Sequence, residues 1–320
     1  MHSLNDEIDI ARRDVEVLPS INEILDDVIA SKWLLSGFFS LCVICALVIA
    51  FERPNVYRSS ATLMVNDQGG GGLSGLAGQL GGLASLAGVP IGGAGSEKVT
   101  LALETLKSRK FIVGFVRKYE IEAEVIAGVD WDFKRGAIVY DGSEYDFVNK
   151  SWVGEYTSVG RPSDYELYKA FNELLFIESD KQTGVVTVSL DFYSPHLAQK
   201  WLGDLISEIN NSVRERDVSE AEQSIDFLTT GLESTSLAGM QSIFFQLIEE
   251  QTKKIMLAQV QLEYAFKVID PPLFPEKKVA PNRLVILILG ILFGFFILVS
   301  YVVVLRFCRI LSNSREGRHE

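Results

Sequence analysis

Cysteine and histidine are scarce in this chain, and their placement excludes disulfide-rich and metal-binding classes of protein. There are three of each in 320 residues. Cys42 and Cys45 lie in one apolar run and Cys308 follows another, so the region between the runs has no cysteine and must be stabilised by packing. His196 is the single histidine outside the terminal regions. Because no histidine, cysteine or carboxylate residues share the spacing of a metal site, we expect neither a metal nor another cofactor.

Sequence motifs for catalysis and nucleotide binding are missing as well. The chain has neither a Gly-x-Ser-x-Gly elbow nor a glycine-rich loop that ends in Gly-Lys-Ser or Gly-Lys-Thr. Asp130-Trp131-Asp132 has the Asp-x-Asp form of metal-dependent glycosyltransferases, but a single match of this form is common by chance. A formal net charge of −12 argues against a nucleic-acid partner. We therefore expect a protein that is not an enzyme and binds no nucleic acid.

Two long uncharged runs dominate the sequence. They cover the 19 residues from Trp33 to Phe51 and the 22 residues from Leu284 to Leu305. A helix of 22 residues is roughly 33 Å long and can cross the core of a lipid bilayer. The sequence thus predicts two transmembrane helices around a large domain, and basic residues on both sides of the runs leave the orientation open. The predicted tail, first span, domain, second span and second tail are residues 1–32, 33–51, 52–283, 284–305 and 306–320.

Small residues spaced four apart occur in both runs. Gly290 and Gly294 form such a pair in the second run, and Ser36 and Ser40 form one in the first. Small side chains let two helix backbones approach closely, so these residues predict helix packing or oligomerisation within the membrane. The alternative is that both pairs are incidental in helices that face lipid.

A proline-rich segment leads into the second run. Pro272, Pro275 and Pro281 cannot continue a helix. We expect this segment to form a stiff, extended connection at the membrane surface.

The pattern of apolar residues between the runs predicts an α+β domain with helices attached to one sheet. Residues from Tyr57 to Val65 alternate as in a strand. Phe176–Ser179 and Val185–Phe192 form a predicted strand pair joined by polar turn residues. Two further helices and two short strands are expected at 98–119, 163–175, 137–140 and 145–148.

Helical periodicity then continues over residues 197–266. A straight helix of this length would be roughly 100 Å long, whereas the 14 extended residues that lead back to the membrane reach only about 45 Å. We therefore expect a break between Gly231 and Gly239 and a tall helical hairpin on a membrane-proximal α/β platform. One long extended helix is the alternative. Residues 265–270 alternate like a strand and should rejoin the sheet.

The region 68–96 is uncharged and rich in glycine, with 12 glycines in the 27 residues from 69 to 95. Each glycine costs a helix about 1 kcal/mol relative to alanine, although the leucines recur at helical spacing. Three interpretations stay open. They are a flexible loop, a small-residue helix held by neighbouring subunits or the membrane surface, and a phosphate-binding loop or third span.

A set of short motifs extends from the first helix of the domain to the second span. These are Leu106-Lys-Ser-Arg-Lys-Phe111, Ser194-Pro195-His-Leu-Ala198 with Trp201 and Asn210, Glu220-Ala-Glu-Gln-Ser-Ile225, Leu247-Ile-Glu249-x-Gln251, Met256-Leu-Ala258, Glu263-Tyr-Ala-Phe266, Val268-Ile-Asp-Pro271, Pro272-x2-Pro275-x4-Ala280-Pro281 and Gly290-x3-Gly294. Together they resemble the Wzz-type chain-length determinants, or polysaccharide co-polymerases, over nearly the whole chain. Family members often have serine where Ala280 stands. A related branch carries a kinase after the second span, and the short tail here indicates the kinase-less branch.

The resemblance implies an inner-membrane protein with a periplasmic domain and cytoplasmic termini. It implies a ring-like homo-oligomer that acts with the membrane polymerase and its lipid-linked glycan, setting the modal length of O-antigen lipopolysaccharide or a related surface polysaccharide. Arg109 is a candidate interface residue within the shared motifs, with a surface ion pair as the alternative. A second function, of another class, is a kinase-less adaptor of a capsule or exopolysaccharide export system that activates a separate tyrosine kinase.

Overall fold

The computed structural model describes residues 32–65, 94–157, 159–180, 183–234 and 238–316. The chain divides into two compact units, Pro54–Ala280 and a second unit made of Met1–Arg53 with Pro281–Glu320. Nearly all of the predicted N-terminal tail and of the glycine-rich region 68–96 lies outside the described residues, as do the last four residues of the C-terminal tail.

Helices and strands alternate irregularly along the chain, as in an α+β protein. In chain order they are α1 (Lys32–Glu52), β1 (Val56–Val65), α2 (Ala94–Lys107), α3 (Arg109–Lys118), α4 (Glu122–Ala127), β2 (Gly128–Asp132), β3 (Ala137–Tyr140), β4 (Tyr145–Asp146), β5 (Ser151–Trp152), a 3-10 turn (Gly154–Thr157), α5 (Asp164–Leu174), β6 (Leu175–Ser179), β7 (Val185–Phe192), α6 (Pro195–Ser234), α7 (Ala238–Val260), β8 (Phe266–Asp270), β9 (Lys278–Ala280) and α8 (Arg283–Glu316).

The main sheet is antiparallel and has the strand order β6-β7-β1-β8, with β9 also paired to β1. Strand β1 pairs with β7 along one edge, where Leu63 faces Val186. Its other edge pairs first with β9 and then with β8, so Val56 lies opposite Ala280 and Leu63 lies opposite Val268. The predicted strands at both ends of the domain therefore meet in one sheet, as the alternation of residues 265–270 indicated.

One face of this sheet packs against the start of α6. Alternate residues of β1 and β7 are buried, as expected for a sheet with one covered face. The ring of Trp201 on α6 lies 4.4 Å from the ring of Phe192 on β7. The largest fully buried side chains from these three elements are Leu63, Leu190, Phe192, Leu202, Leu205 and Ile209.

The predicted single helix over 98–119 is wrong, because the helix is interrupted at Ser108. This residue has an extended backbone (φ −67°, ψ 143°), and its hydroxyl accepts a hydrogen bond from the amide of Phe111 at 3.2 Å. Serine competes well for such cap positions because its side chain replaces a missing backbone acceptor. Two helices, α2 and α3, result instead of one.

Two helices cover the region of the predicted helical arms, with α6 ending at Ser234 and α7 beginning at Ala238. Helix α6 has 40 residues and α7 has 23, so the two arms are roughly 60 and 35 Å long. They pack antiparallel, and a Cβ on Gly231 would lie 3.4 Å from the ring of Phe244.

Of the small strands, β3 was predicted at 137–140, whereas its partner β2 was missed and β4 ends two residues before the predicted end at 148. Strand β2 pairs with β3, so that Trp131 lies opposite Ile138. Strand β2 begins with glycine and contains two aspartates, which are all depleted in strands. At Gly128 a Cβ would lie 2.3 Å from the carbonyl oxygen of Glu124, so the close approach of α4 requires glycine there.

The second unit contains two apolar helices, α1 and α8, which pack against each other. Among the described residues, Arg283–Tyr301 is the one helix both long and apolar enough to cross a membrane. The apolar part of α1, Ser36–Glu52, is shorter than such a span. Helix α8 continues past the predicted end of the second span at residue 305 and reaches Glu316.

Candidate functional site

The proline segment is held against the edge of the main sheet. The amide of Leu273 donates to the carbonyl oxygen of Ser60 at 3.2 Å, and the hydroxyl of Ser59 donates to the carbonyl oxygen of Leu273 at 2.8 Å. These bonds occupy the gap along β1 between its pairing with β9 and with β8. The segment that the sequence predicted as a stiff connection is therefore also part of the folded domain.

The same segment contacts the start of α6. The side-chain amide of Gln199 donates to the carbonyl oxygen of Pro272 at 3.0 Å, and the ring of His196 lies 4.9 Å from that of Phe274. A Cβ on Gly203 would lie 3.9 Å from the ring of Pro272. Two motifs distant in sequence thus form one contact surface.

Asn210 joins α6 to the strand that precedes the proline segment. Its side chain is 4% exposed. The carbonyl oxygen of this side chain accepts from the amides of Ala265 and Phe266, both at 2.8 Å. Its amide group donates to the carbonyl oxygens of Ile206 and Phe266, both at 3.1 Å. All four bonding positions of the side-chain amide are therefore in use, as burial of a polar group requires.

The sequence predicted Asn210 only as part of a family motif and did not predict its structural role. In the sequence, Asn210 follows Ile209 and lies four residues after Ile206, inside the apolar stripe of a long helix. A polar residue at a buried helical position needs a partner from outside the helix, and that mismatch was the available signal.

Gly290 and Gly294 both face α1 of the same chain. A Cβ on Gly290 would lie 2.4 Å from the Cβ of Ala46, a distance that a real contact does not reach. A Cβ on Gly294 would lie 3.1 Å from the ring of Phe39 and 3.3 Å from the Cβ of Cys42. The missing side chains therefore let the two apolar helices pack closely within one chain, and a role in contacts between chains stays a prediction.

The small residues of α1 that are buried differ from the predicted pair. Ser36 and Ser40 are exposed, whereas Ala46 and Ala50 are 7% and 2% exposed. Ala46 is also the residue that meets Gly290. Packing of Ser36 and Ser40 against another helix stays a prediction.

The remaining prolines and Arg109 occupy different places. Pro275 and Pro281 are partly buried, and Pro281 lies between the end of β9 and the start of α8.

Arg109 is the first residue of α3 and is exposed, with its side chain outside every ion pair found among the described residues. Helix α3 buries its other face through Phe111 and Phe115. Arg109 is therefore accessible to a partner, and its role stays a proposal.

The two carboxylates of the Asp130-Trp131-Asp132 motif accept hydrogen bonds from backbone amides close to them in the sequence. The carboxylate of Asp132 accepts hydrogen bonds from the amides of Lys134 at 2.8 Å and Arg135 at 3.2 Å. The carboxylate of Asp130 accepts from the amide of Trp131 at 2.8 Å. Within the described ranges, no group of three or more histidine, cysteine or acidic residues is arranged to hold a metal ion.

Three solved structures resemble this chain at low identity. A full-length bacterial polysaccharide co-polymerase is 14% identical, with a TM-score of 0.32 over 88% of this chain and 97% of its own. A fragment of WzzB, a polysaccharide co-polymerase from Salmonella Typhimurium, is 14% identical, with a TM-score of 0.28 over 71% of this chain and 100% of its own. A mutant of the Shigella flexneri lipopolysaccharide O-antigen chain-length regulator WzzBSF is 13% identical, with a TM-score of 0.20 over 70% of this chain and 99% of its own.

Neither the protein-family models nor the curated proteins include a match to this chain. The structural neighbours are polysaccharide co-polymerases, but every TM-score lies below 0.5. The function is therefore inferred from the residues of the chain itself.

Proposed function

We propose that this chain is a non-catalytic, oligomeric regulator that sets the modal chain length of O-antigen lipopolysaccharide or a related surface polysaccharide. One observation carries the proposal, namely that motifs resembling the co-polymerases meet at one junction. Gln199 donates a hydrogen bond to Pro272, which lies 73 positions later in the sequence. Asn210 accepts a hydrogen bond from the amide of Phe266, which lies 56 positions later. Motifs that are scattered along the sequence thus lie together in the folded chain.

In this proposal the two apolar helices cross the bacterial inner membrane and leave both termini in the cytoplasm. Helix α8 would supply one span through Arg283–Tyr301, and the shorter apolar helix Ser36–Glu52 of α1 would supply the other. Gly290 and Gly294 hold α1 and α8 together as a membrane hairpin. The domain then lies in the periplasm, and the chain belongs to the kinase-less branch.

The pairing of Val56 with Ala280 supports anchoring of the domain at two adjacent points. An anchored domain with a long helical pair suits assembly into a ring-like homo-oligomer. We propose that this oligomer contacts the membrane polymerase and its lipid-linked glycan, and that it acts through shape rather than through a catalytic group.

Deletion of the gene in its native bacterium tests the proposal. Polymer synthesis should continue, but gel electrophoresis should show a broad distribution of lengths in place of the modal band. A plasmid that carries the intact chain should restore the band. An unchanged distribution would contradict the proposal, and if phosphorylation of a separate tyrosine kinase fell instead, the adaptor hypothesis would replace it.

A further inference from the structure

A second surface, apart from the proline segment, has the chemistry of a binding site. A cleft of about 510 Å³ lies between the β2–β3 pair and the β4–β5 pair. This volume is within the range of small-molecule sites. The side chains that matter for its chemistry are Asp132, Arg135, Tyr140, Tyr145, Asp146 and Phe147.

Aromatic rings form one wall of the cleft. The rings of Tyr140 and Phe147 are stacked, with centroids 5.3 Å apart and planes 16° apart. Tyr145 contacts Tyr140 at 5.5 Å and also contacts Trp152 at 5.1 Å. Although it is an apolar ring, Phe147 is 59% exposed. Neighbouring rings therefore support the stack, and much of the Phe147 ring is exposed to solvent.

Tyr140 is fixed in this stack by a group outside the cleft. Its hydroxyl donates to the carboxylate of Glu124 at 3.2 Å. Burial and the nearby Glu124 carboxylate raise the pKa of Tyr140 above its usual value, so the hydroxyl stays protonated and keeps its role as donor. The ring on which Phe147 stacks is thus held in place before any ligand arrives.

Charged groups of both signs lie at the rim. The side chain of Arg135 is 85% exposed, and its Nε atom lies 3.5 Å from the Oδ2 atom of Asp132. Hydrogen bonds from Asn149 and Val148 to the carboxylate of Asp146 lower the pKa of that group, so it is ionised at neutral pH. The guanidinium group of Arg135 retains donors that point to solvent, because one weak contact uses only part of its five N–H groups.

We propose that this cleft binds a pyranose unit of a polysaccharide. A pyranose ring has an apolar face of C–H groups that packs on an aromatic ring, and hydroxyls at its edge that bind carboxylate and guanidinium groups. The cleft offers both, whereas the carboxylates of Asp132 and Asp146 disfavour a nucleotide because they repel phosphate. This inference rests on the proposed function in one respect, because that function makes a glycan the expected ligand.

Binding is tested with the full chain in lipid nanodiscs that contain no sugar-based detergent, since such detergents carry pyranose rings. The probes are hexasaccharides of glucose, galactose, mannose, rhamnose and N-acetylglucosamine, titrated by saturation-transfer NMR and calorimetry. We expect saturable binding of at least one probe. Phe147→Ala should weaken it about ten-fold or more, because it removes the exposed stacking face.

Phe133→Ala is the matched control. Phe133 is 60% exposed, belongs to the turn between β2 and β3, and does not line the cleft. Binding by this variant should equal that of the unmodified chain. Arg135→Gln supplies a second test that leaves the aromatic stack intact, and it should weaken binding by a smaller factor than Phe147→Ala.

The results separate this inference from the proposed function. Absence of saturable binding for all five probes, or equal effects of Phe147→Ala and Phe133→Ala, would overturn the inference. In that case a modal band that still depends on the gene would leave the proposed function standing. Saturable binding lost in Phe147→Ala supports the cleft even if deletion of the gene leaves polymer length unchanged, a result that contradicts the proposed function alone.

Discussion

The side-chain amide of Asn210 pairs with the backbone of Phe266 in both directions, accepting from its amide at 2.8 Å and donating to its carbonyl oxygen at 3.1 Å. This is the pattern that a neighbouring strand would provide. It places the first residue of β8 beside α6, and from there the chain continues along β1 into the proline segment. One buried side chain of the long helix therefore holds the start of the strand that leads into that segment.

Asn210→Ala should lower the free energy of unfolding by about 2–4 kcal/mol, because it leaves the buried amides of Ala265 and Phe266 without an acceptor. Thermal unfolding of the full chain in nanodiscs, followed by circular dichroism, measures the loss. Asn211→Ala is the control, since Asn211 is only partly buried and bonds only to Arg214 of its own helix among the described contacts. Similar losses in both variants would show that Asn210 has no special role.

Gly290→Ala should destabilise the pair of apolar helices by about 1–3 kcal/mol, because the new Cβ would lie 2.4 Å from the Cβ of Ala46. The double variant with Ala46→Gly removes the opposing atom and should recover most of the loss. Thermal unfolding in nanodiscs compares these variants. Gly37→Ala is the control, because a Cβ at Gly37 meets nothing within 4 Å. Failure of Ala46→Gly to rescue would mean that α1 and α8 do not pack in this way.

The free energy of unfolding should fall at alkaline pH because of the environment of Tyr264. Its hydroxyl donates to the carboxylate of Asp217 on α6 at 3.0 Å. Burial first, and then the Asp217 carboxylate, raise the pKa of Tyr264 above its usual value of 10.0. A raised folded-state pKa gives stability that is complete below the unfolded pKa and is lost as pH rises through the folded pKa.

Tyr264→Phe should therefore be less stable than the unmodified chain at pH 8, and the difference should shrink as the pH rises above about 10. Melting temperatures over this pH range measure the effect. Tyr165→Phe serves as the control, because Tyr165 is 64% exposed. A constant difference at all pH values would assign the effect of Tyr264→Phe to packing alone.

Arg109→Ala should leave the free energy of unfolding within about 0.5 kcal/mol of the unmodified chain, because the residue is exposed. If Arg109 contacts a partner, the same substitution should shift or broaden the modal polymer band in the native bacterium. Lys107→Ala, another exposed basic residue two positions earlier, is the comparison. A normal band in Arg109→Ala would remove the residue from the proposed interface.

Local sequence patterns predicted those elements whose signals are repeated along one segment. Alternation identified β1, β7 and β8, since each strand of a half-buried sheet shows the same face to the core. The break near Gly231 and Gly239 followed from chain length and helix propensity. The paired apolar helices followed from the uncharged runs and the spacing of Gly290 and Gly294.

Partners that are distant in sequence could not be predicted in this way. The apolar pattern continues across Ser108, so it does not decide whether this residue caps a helix or continues one. The choice of Ala46 over Ser40 as the small residue that is buried depends on how α1 is rotated against α8.

By itself, the amino-acid sequence determined the strands β1, β7 and β8 of the main sheet and the two apolar helices, because each depends on periodicity or composition within one segment. Only the tertiary structure decided that Asn210 holds Phe266, that Gln199 holds Pro272, and that Tyr140 and Phe147 stack beside a cleft. The physical reason is that hydrogen bonds and ring contacts depend on positions in space, and a pattern along the chain carries no record of which distant partner satisfies a buried polar group.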